Sequence, residues 1–394
     1  MSTVVRAARI GAAIIKTAIR TLRAMRLAIV VTGGVDRSGR ERVVPALLWL
    51  VERLARRHDV HVFVLDYLRA PASYPLLGAT VHDLGRVVGP PGLRRLRVRS
   101  RLRRAIAARG PFDVLHAYWG MPAGVAATSV GRALGIPVVL TLDSGELVAL
   151  PEIDYGLQRR WIDRRAIAAA IRRAACVTVA TQFMAAMPAL AARRVEIVPI
   201  GVEPRLFPDA PRADGPPWRL LRVASLNRVK DYPTLLRAVA AIVRRVPSAR
   251  LDIVGEDTLG GAVQADAHAL GLDAHVAFHG FQPADALGAF YARAHVHIVS
   301  SRHEAASVAM LEAACAGVPT VATPVGYAAD WAPQGRAVAV PVGDAAALAS
   351  EVVRLIEDPA RRNGIAAAAR AWTLVHDADW TAAAFERIYA ESRN

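Results

Sequence analysis

The sequence predicts an α/β fold made of two parallel, helix-covered sheets in series. Three observations carry that expectation. The chain has 394 residues, 54% of them apolar, which is enough material for two cores. Short β-branched runs alternate with longer helical stretches over nearly its whole length, the pattern of a parallel sheet covered on both faces. One segment rich in Pro and Asp, PRLFPDAPRADGPPW at 204–218, divides that alternation into two series. With 2 Cys and 21% charged residues, the chain is neither a disulfide-stapled nor a disordered protein. Cys176 and Cys315 fall in apolar stretches and read as small core residues, with no spacing for zinc or redox chemistry.

Residues 1–24, MSTVVRAARIGAAIIKTAIRTLRA, carry Arg6, Arg9, Lys16, Arg20 and Arg23 and no acid. Charge breaks this leader too often for a membrane-crossing helix, and it lacks a secretory core. Two readings stay open: a basic amphipathic helix lying on a membrane, or an extension ahead of a true start at Met25. From there MRLAIVVTGG reads as a first strand entering a Gly turn. Strand-like runs follow the pattern at 27–32, 60–65, 114–116, 138–141, 177–180 and 195–199, then at 220–225, 250–254, 276–279, 296–299, 320–323 and 337–340. The expected organisation is a first Rossmann-like domain over 25–205, a linker over 206–218, a second domain over 219–370, and a last helix over 371–394 crossing back to the first. Ligands of such sheets bind outside the carboxyl ends of the strands, here in a deep cleft between the halves. No G-x-G-x-x-G follows the first strand, and GGVDRSG at 33–39 lacks the Lys and spacing of a phosphate loop, which argues against a dehydrogenase and a P-loop enzyme.

The formal charge of +16 is polarised. Residues 1–110 hold 22 Lys+Arg and 6 Asp+Glu, whereas the remainder holds 28 of each. An anionic partner met by the first half is the expectation, with a phospholipid surface, a nucleic acid or a polyphosphate substrate as the choices. GLRRLRVRSRLRRAIAARG at 92–110 has eight Arg and no Phe, Tyr or Trp. Nucleic-acid surfaces interleave Arg with aromatic residues, so nucleic acid is not expected.

The most informative stretch is HVHIVSSRHEAASVAMLEAACAGVPT, 295–320. It reads as a buried strand, an exit loop over 301–304 and a helix over 306–316 stopped by Gly317 and Pro319. Glu312 sits inside an otherwise apolar helix, and a lone buried carboxylate is costly unless a hydroxyl or cation meets it. Glu304 precedes the helix start, where backbone N–H groups and the helix dipole favour an anion. Two carboxylates flanking such amides suit a ligand that carries a sugar, a diphosphate and a ribose. Lys230, in SLNRVKD after a strand end, is one of only two lysines in the chain and can place a point charge on a phosphate.

This stretch resembles the E-x7-E motif of family 4 retaining glycosyltransferases of GT-B architecture. The likeness extends through RLLRVASLNRVKDYPTLLRAV, ARLDIVGED, VAFHGFQP and IVPIGVEPRLF in family order, over about residues 25–394. By that resemblance Glu304 holds donor-sugar hydroxyls, Glu312 holds the nucleotide ribose, and the amides of Ala305, Ala306, Ser307 and Val308 meet the diphosphate. Lys230 grips the same group. Similar enzymes place an Arg where this chain has Ser225, a place Arg228 can fill from the loop, and often a Gly where it has Ala305. Gly255, Glu256 and the turn at Phe281 are expected to wall the base pocket. In the first half, Gly33 and Gly34 close onto donor phosphates or acceptor. His116 stands as the candidate catalytic histidine, and Tyr118, Asp143 and Glu146 mark the acceptor side. The resemblance implies a metal-independent reaction without cofactor. A hexose would pass from a nucleoside-diphosphate sugar to a lipid-linked or saccharide acceptor in bacterial envelope synthesis, on the cytoplasmic face of an anionic membrane. Ser225 and Ala305 leave an alternative: a catalytically weak GT-B scaffold or sugar-nucleotide sensor at the membrane.

Overall fold

The computed structural model describes residues 23–65 and 67–393; the basic leader lies outside them except for Arg23 and Ala24. The run RLAIVV buries five consecutive side chains, as a strand covered on both faces must, and forms β1 (Arg26–Val31). With it lie β2 (Asp59–Val64), β3 (Ala72–Leu76), β4 (Ala79–Asp83), β5 (Val114–Tyr118), β6 (Val138–Leu142), β7 (Cys176–Val179) and β8 (Glu196–Ile197). Their order is β3-β4-β2-β1-β5-β6-β7-β8. The second sheet contains β9 (Arg219–Val223), β10 (Arg250–Val254), β11 (Val276–Phe278), β12 (Val296–Val299), β13 (Thr320–Ala322) and β14 (Val338–Ala339), all parallel, in the order β11-β10-β9-β12-β13-β14. These two sheets found two α/β units: one ends at Gly201 and is rejoined by the helix Ala378–Ser392, and the other is Val202–Asp377.

Two expectations change. The hairpin β3–β4 is the one antiparallel pairing of the first sheet, and the alternation of apolar runs did not reveal it. Its turn residues Leu77 (φ 51°) and Gly78 (φ 83°) both adopt left-handed backbone, the geometry that matches hairpin twist, although the Asn-Gly signature is missing. Pro75 is tolerated there because β3 is an edge strand. The second change concerns 206–218, which is packed on the second unit rather than spanning as a linker, and the division falls after Gly201. Phe207 is fully buried with its ring 5.6 Å from Tyr291. Arg212 donates to the carbonyls of Ala316 and Gly317, and Asp214 pairs with Arg362 at 2.5 Å. Pro and Asp signalled irregular backbone, while one aromatic ring and a multi-donor side chain among them supply the packing. Cys176 and Cys315 are free thiols in different units: Cys315 is buried as expected, and Cys176 is half-buried against the first core.

The helix Ala378–Ser392 does return to the first unit, where Phe385, Ile388 and Tyr389 join the core under β1, β2 and β5. Polar ties fix its register: Arg53 to Asp379 at 2.6 Å and His58 to Glu386 at 3.1 Å. His116 lies at the centre of this junction. Its Nδ1 is 2.6 Å from the Tyr389 hydroxyl and its Nε2 is 2.7 Å from Thr141 Oγ1, which in turn meets Thr178 Oγ1 at 2.6 Å. Burial pushes its pKa down to about 3. With both ring nitrogens engaged in the interior, His116 is a neutral strut between sheet and helix, which corrects its candidate catalytic role. Tyr389→Phe would leave Nδ1 buried and unpaired, so we expect a loss of about 1–3 kcal/mol in urea denaturation, and an unchanged midpoint would show that this bond does not hold the helix.

Candidate functional site

In the second sheet the chain runs β9, β10, β11 toward one edge and then β12, β13, β14 toward the other. The direction reverses between the neighbours β9 and β12, so the loops leaving their carboxyl ends diverge and open a crevice. Side chains stitch the two loops together below it. Ser300 Oγ donates to the Lys230 carbonyl at 2.8 Å, the Arg302 amide donates to the Val229 carbonyl at 2.8 Å, and the Arg302 guanidinium pairs with Asp231 at 3.3 Å. At the top, Lys230 Nζ donates to both oxygens of Glu304, at 2.8 and 2.9 Å, and Ser301 Oγ donates to Oε1 at 2.6 Å. Burial pushes the Glu304 pKa up, but the charges of Lys230 and Arg222 and the hydrogen bonds from Lys230 and Ser301 outweigh it and hold the carboxyl below its ordinary value.

Beyond Glu304 the loop turns into the helix Val308–Cys315 through Ser307, which takes left-handed backbone with a φ of 83°. Of that turn's N–H groups, Met310 N donates back to the Ser307 carbonyl at 3.0 Å, and those ahead of it have no carbonyl within the helix to bond, as at any helix start. Gly326 (φ 56°) is required here: a Cβ on it would stand 2.5 Å from the Ala306 carbonyl oxygen and 3.1 Å from Glu304 Cβ. Tyr327 N donates to that same carbonyl at 3.0 Å, and Thr323 Oγ1 donates to the Ser301 carbonyl at 2.5 Å. Behind the site the helix is buried from Met310 to Cys315, and Arg370 caps its last carbonyls through Cys315 O at 3.1 Å. Glu312 accepts a hydrogen bond from the Tyr291 hydroxyl at 2.7 Å. Burial pushes its pKa up to about 7, and Tyr291 only partly offsets this.

The other residues of the second unit expected to meet a donor follow the carboxyl ends of its strands. Gly255 lies against the β9 exit, and a Cβ on it would be 2.0 Å from the Ala224 carbonyl oxygen, so only glycine fits. Ser225 is half-buried and accepts from Asn227 Nδ2 at 2.9 Å, and Arg228 is exposed on the next turn. Phe281 stands 48% exposed after β11. Ala305 and Ala306 are buried within the loop itself. Sequence reasoning missed three contributors. Gly326 carried the signal of a Pro-x-Gly turn after a strand, whereas Ser301 and Arg222 carried none.

In the first unit the expected residues follow another logic. Gly34 (φ 80°) crosses Val44 so closely that a Cβ would be 2.9 Å from Val44 Cγ2. Tyr118 is buried, with its ring 5.6 Å from His116 and 5.5 Å from Trp119. Glu146 is buried too, accepting from the amides of Gly120 at 2.8 Å and Ser144 at 2.7 Å. Burial raises its pKa against those bonds. Tyr118 and Glu146 are therefore corrected from acceptor contacts to a core ring and a clasp on the 118–120 turn. Asp143 is half-exposed just after β6. Among the described residues no group of three or more His, Cys, Asp or Glu is placed to hold a metal ion, and no helix is long and apolar enough to cross a membrane.

The Glu312 carboxyl has a pH consequence. Its folded pKa lies above the ordinary 4.5, so between about 4.5 and about 7 the unfolded chain loses a proton that the folded chain keeps. Stability at this site is full at low pH and declines as pH rises through that window. Glu312→Gln should remove the decline, which melting temperatures measured from pH 4 to 8 will show as a flatter curve than that of the parent.

Residues 206–372 match the family described as Glycosyl transferases group 1, and residues 43–201 match the Glycosyl transferase 4-like domain. A phosphatidyl-myo-inositol mannosyltransferase of Mycolicibacterium smegmatis is 30% identical over 293 residues, 72% of each chain. A D-inositol 3-phosphate glycosyltransferase of an Arthrobacter species is 29% identical over 283 residues, 66% of each. A sucrose-phosphate synthase from Thermosynechococcus elongatus shares the fold at a TM-score of 0.77 and 19% identity, covering 93% of this chain and 98% of that one. HepE of Anabaena, solved with UDP-glucose, does so at 0.69 and 17%, covering 93% and 98%. The switch-point crevice with its Lys–Glu pair thus sits inside the matched group 1 segment and the 118–120 turn inside the 4-like segment, and the chain belongs to the group 1 glycosyltransferases, with two α/β units of the GT-B kind.

Proposed function

We propose that this chain is a metal-independent retaining glycosyltransferase that moves a hexose from a nucleoside-diphosphate sugar to a membrane-associated lipid or saccharide acceptor in bacterial envelope synthesis. The observation that carries the reading is the juxtaposition of Lys230, two buried carboxylates and a helix start at one switch point. The lysine and the first-turn amides are preorganised for a diphosphate, and their charge is worth most when that group leaves as a dianion. Glu304 and Glu312 present acceptor oxygens for sugar and ribose hydroxyls. In the transfer the bond from the anomeric carbon to the phosphate oxygen breaks, the bond to the acceptor oxygen forms on the same face, and the acceptor's proton passes to the departing phosphate. The names of the relatives support this: they act on inositol-based acceptors, and HepE was solved with UDP-glucose. A second reading, a weak scaffold or sugar-nucleotide sensor, draws on Ser225, which places a hydroxyl and no cation on the β9 exit.

The membrane part of the proposal rests on the helix Pro91–Ala107. It turns Arg94, Arg95, Arg97, Arg99, Arg103 and Arg104 outward, with Leu93 and Leu96 each about half exposed among them. Arg95 reaches Asp163 at 2.6 Å, beside Trp161 and Ile162, which are 61% and 50% exposed. Cations with apolar side chains between them suit the headgroup layer of an anionic bilayer, each Arg contributing about 1 kcal/mol near the surface.

Four experiments test these statements. A thermal-shift panel of UDP-, GDP-, ADP- and TDP-sugars should show one nucleotide stabilising the protein by about 2.7 kcal/mol at 100 times its dissociation constant. A chelator should not alter that shift, and silence across the panel would favour the scaffold reading. Lys230→Met should weaken the responding nucleotide about 10- to 100-fold, as loss of a charge-assisted hydrogen bond does. Glu304→Gln should cut turnover while leaving vesicle binding intact. Flotation with phosphatidylglycerol vesicles should carry the protein up at low salt and fail with neutral lipid; equal flotation on both would remove the membrane assignment.

A further inference from the structure

Arg222 is 1% exposed, one residue before the carboxyl end of β9, among the largest side chains the protein buries completely. Its Nη1 donates to the Ile298 carbonyl at 3.3 Å and its Nη2 to Ser301 Oγ at 2.9 Å, while Nε has no hydrogen-bond partner. Nη2 also lies 4.0 Å from Glu304 Oε1. Ser301 Oγ therefore stands between cation and anion, accepting from Arg222 and donating to Glu304 at 2.6 Å. The groups facing Arg222 include Tyr232, Tyr291 and His297 as well. Burial raises both phenols and pushes His297 down to about 3, so these three are neutral around pH 7. Glu304 is thus addressed by two cations, Lys230 from the open side and Arg222 from within the sheet.

The two differ in what they can do next. Lys230 is partly exposed and spends two of its three ammonium donors on Glu304. An arriving diphosphate competes for those donors, and drawing the lysine away would strand a buried carboxylate, a costly state. Arg222 is locked in the interior and cannot follow. We propose that Arg222 is a positioning residue: a fixed internal counter-ion that, through Ser301, keeps Glu304 ionised and aimed while Lys230 is drawn to the phosphates. The inference rests on the diphosphate donor of the proposed function, and it gives a reason for a guanidinium held inside the sheet.

The test reads the Glu304 carboxylate directly, by carbon NMR of protein labelled at the glutamate carboxyls, with Glu304→Gln to assign the signal. Lys230→Met imitates the lysine turned away and needs no nucleotide. In that variant Glu304 should remain ionised at pH 7. Adding Arg222→Met should raise its titration midpoint by about 1–3 pH units, the effect of removing a nearby opposite charge. If the midpoint already reaches 7 in Lys230→Met, or the second substitution does not move it, the proposal is overturned. Should the double variant fail to fold, Arg222→Met and Arg222→Lys in the intact background answer the same question with UDP and GDP as probes. Nucleotide should raise the midpoint in Arg222→Met and leave it in place in Arg222→Lys, and equal behaviour overturns the proposal. Because the first arm contains no nucleotide, a silent donor panel beside a positive titration would count against the proposed function and not against the counter-ion.

Discussion

The site in the second unit depends on one ion pair, between a buried carboxylate and a part-buried lysine. Glu304 is desolvated by the loop that carries it, and without Lys230 and Arg222 its charge would push the loop toward solvent or force a proton onto it. The pair settles where two loops meet: the lysine comes from the exit of β9, the carboxylate from the exit of β12, and the strands are hydrogen-bonded neighbours. Closing it brings the 300–307 backbone against the turn at Gly326 with a clearance that no side chain survives, and this sets where the helix Val308–Cys315 begins. Gly255 plays the same part on the other side, letting the β10 exit touch Ala224. Packing, charge and helix direction thus converge on one crevice.

A site of this kind needs a rigid floor, and the floor is built from groups with no chemical task. The helix Pro359–Val375 holds the helix Val308–Cys315 from behind through Arg370, and Trp372 packs near Tyr327 and Trp331 at 5.7 and 5.2 Å. Arg212 caps the far end of the same helix from the segment before β9. In the first unit His116 and Glu146 serve similarly, spending polar atoms on a sheet, a returning helix and a turn. Their polarity is structural, and each is satisfied in the interior as buried polar groups must be.

How much of this the sequence displayed depends on whether the signal was local. Continuous apolar runs such as RLAIVV and the Gly stop after the helix are local, and they gave the strands and the helix Val308–Cys315 within a few residues. Lys230, Glu304 and Glu312 were legible because a charge after a strand end or inside an apolar helix demands a partner. His116 was misread because it met the same criterion, and only the structure shows that Tyr389, 273 residues away in sequence, satisfies it. Arg222 was invisible for the opposite reason: inside an apolar run it looks like an edge charge, and its partners come from another strand's exit loop. The hairpin at Leu77 and Gly78 escaped because a leucine occupies a left-handed turn position that Asn usually marks.

The central claim is that the crevice at the exits of β9 and β12 holds the diphosphate of a sugar nucleotide. A crystal structure of the protein soaked with the nucleotide sugar that it binds in solution tests this most directly. The account predicts the diphosphate between Lys230 Nζ and the first-turn amides of Val308–Cys315, with Lys230 turned off at least one Glu304 oxygen and Arg222 unmoved. A nucleotide bound elsewhere, or bound with the Lys230–Glu304 pair intact and away from the helix start, would contradict it.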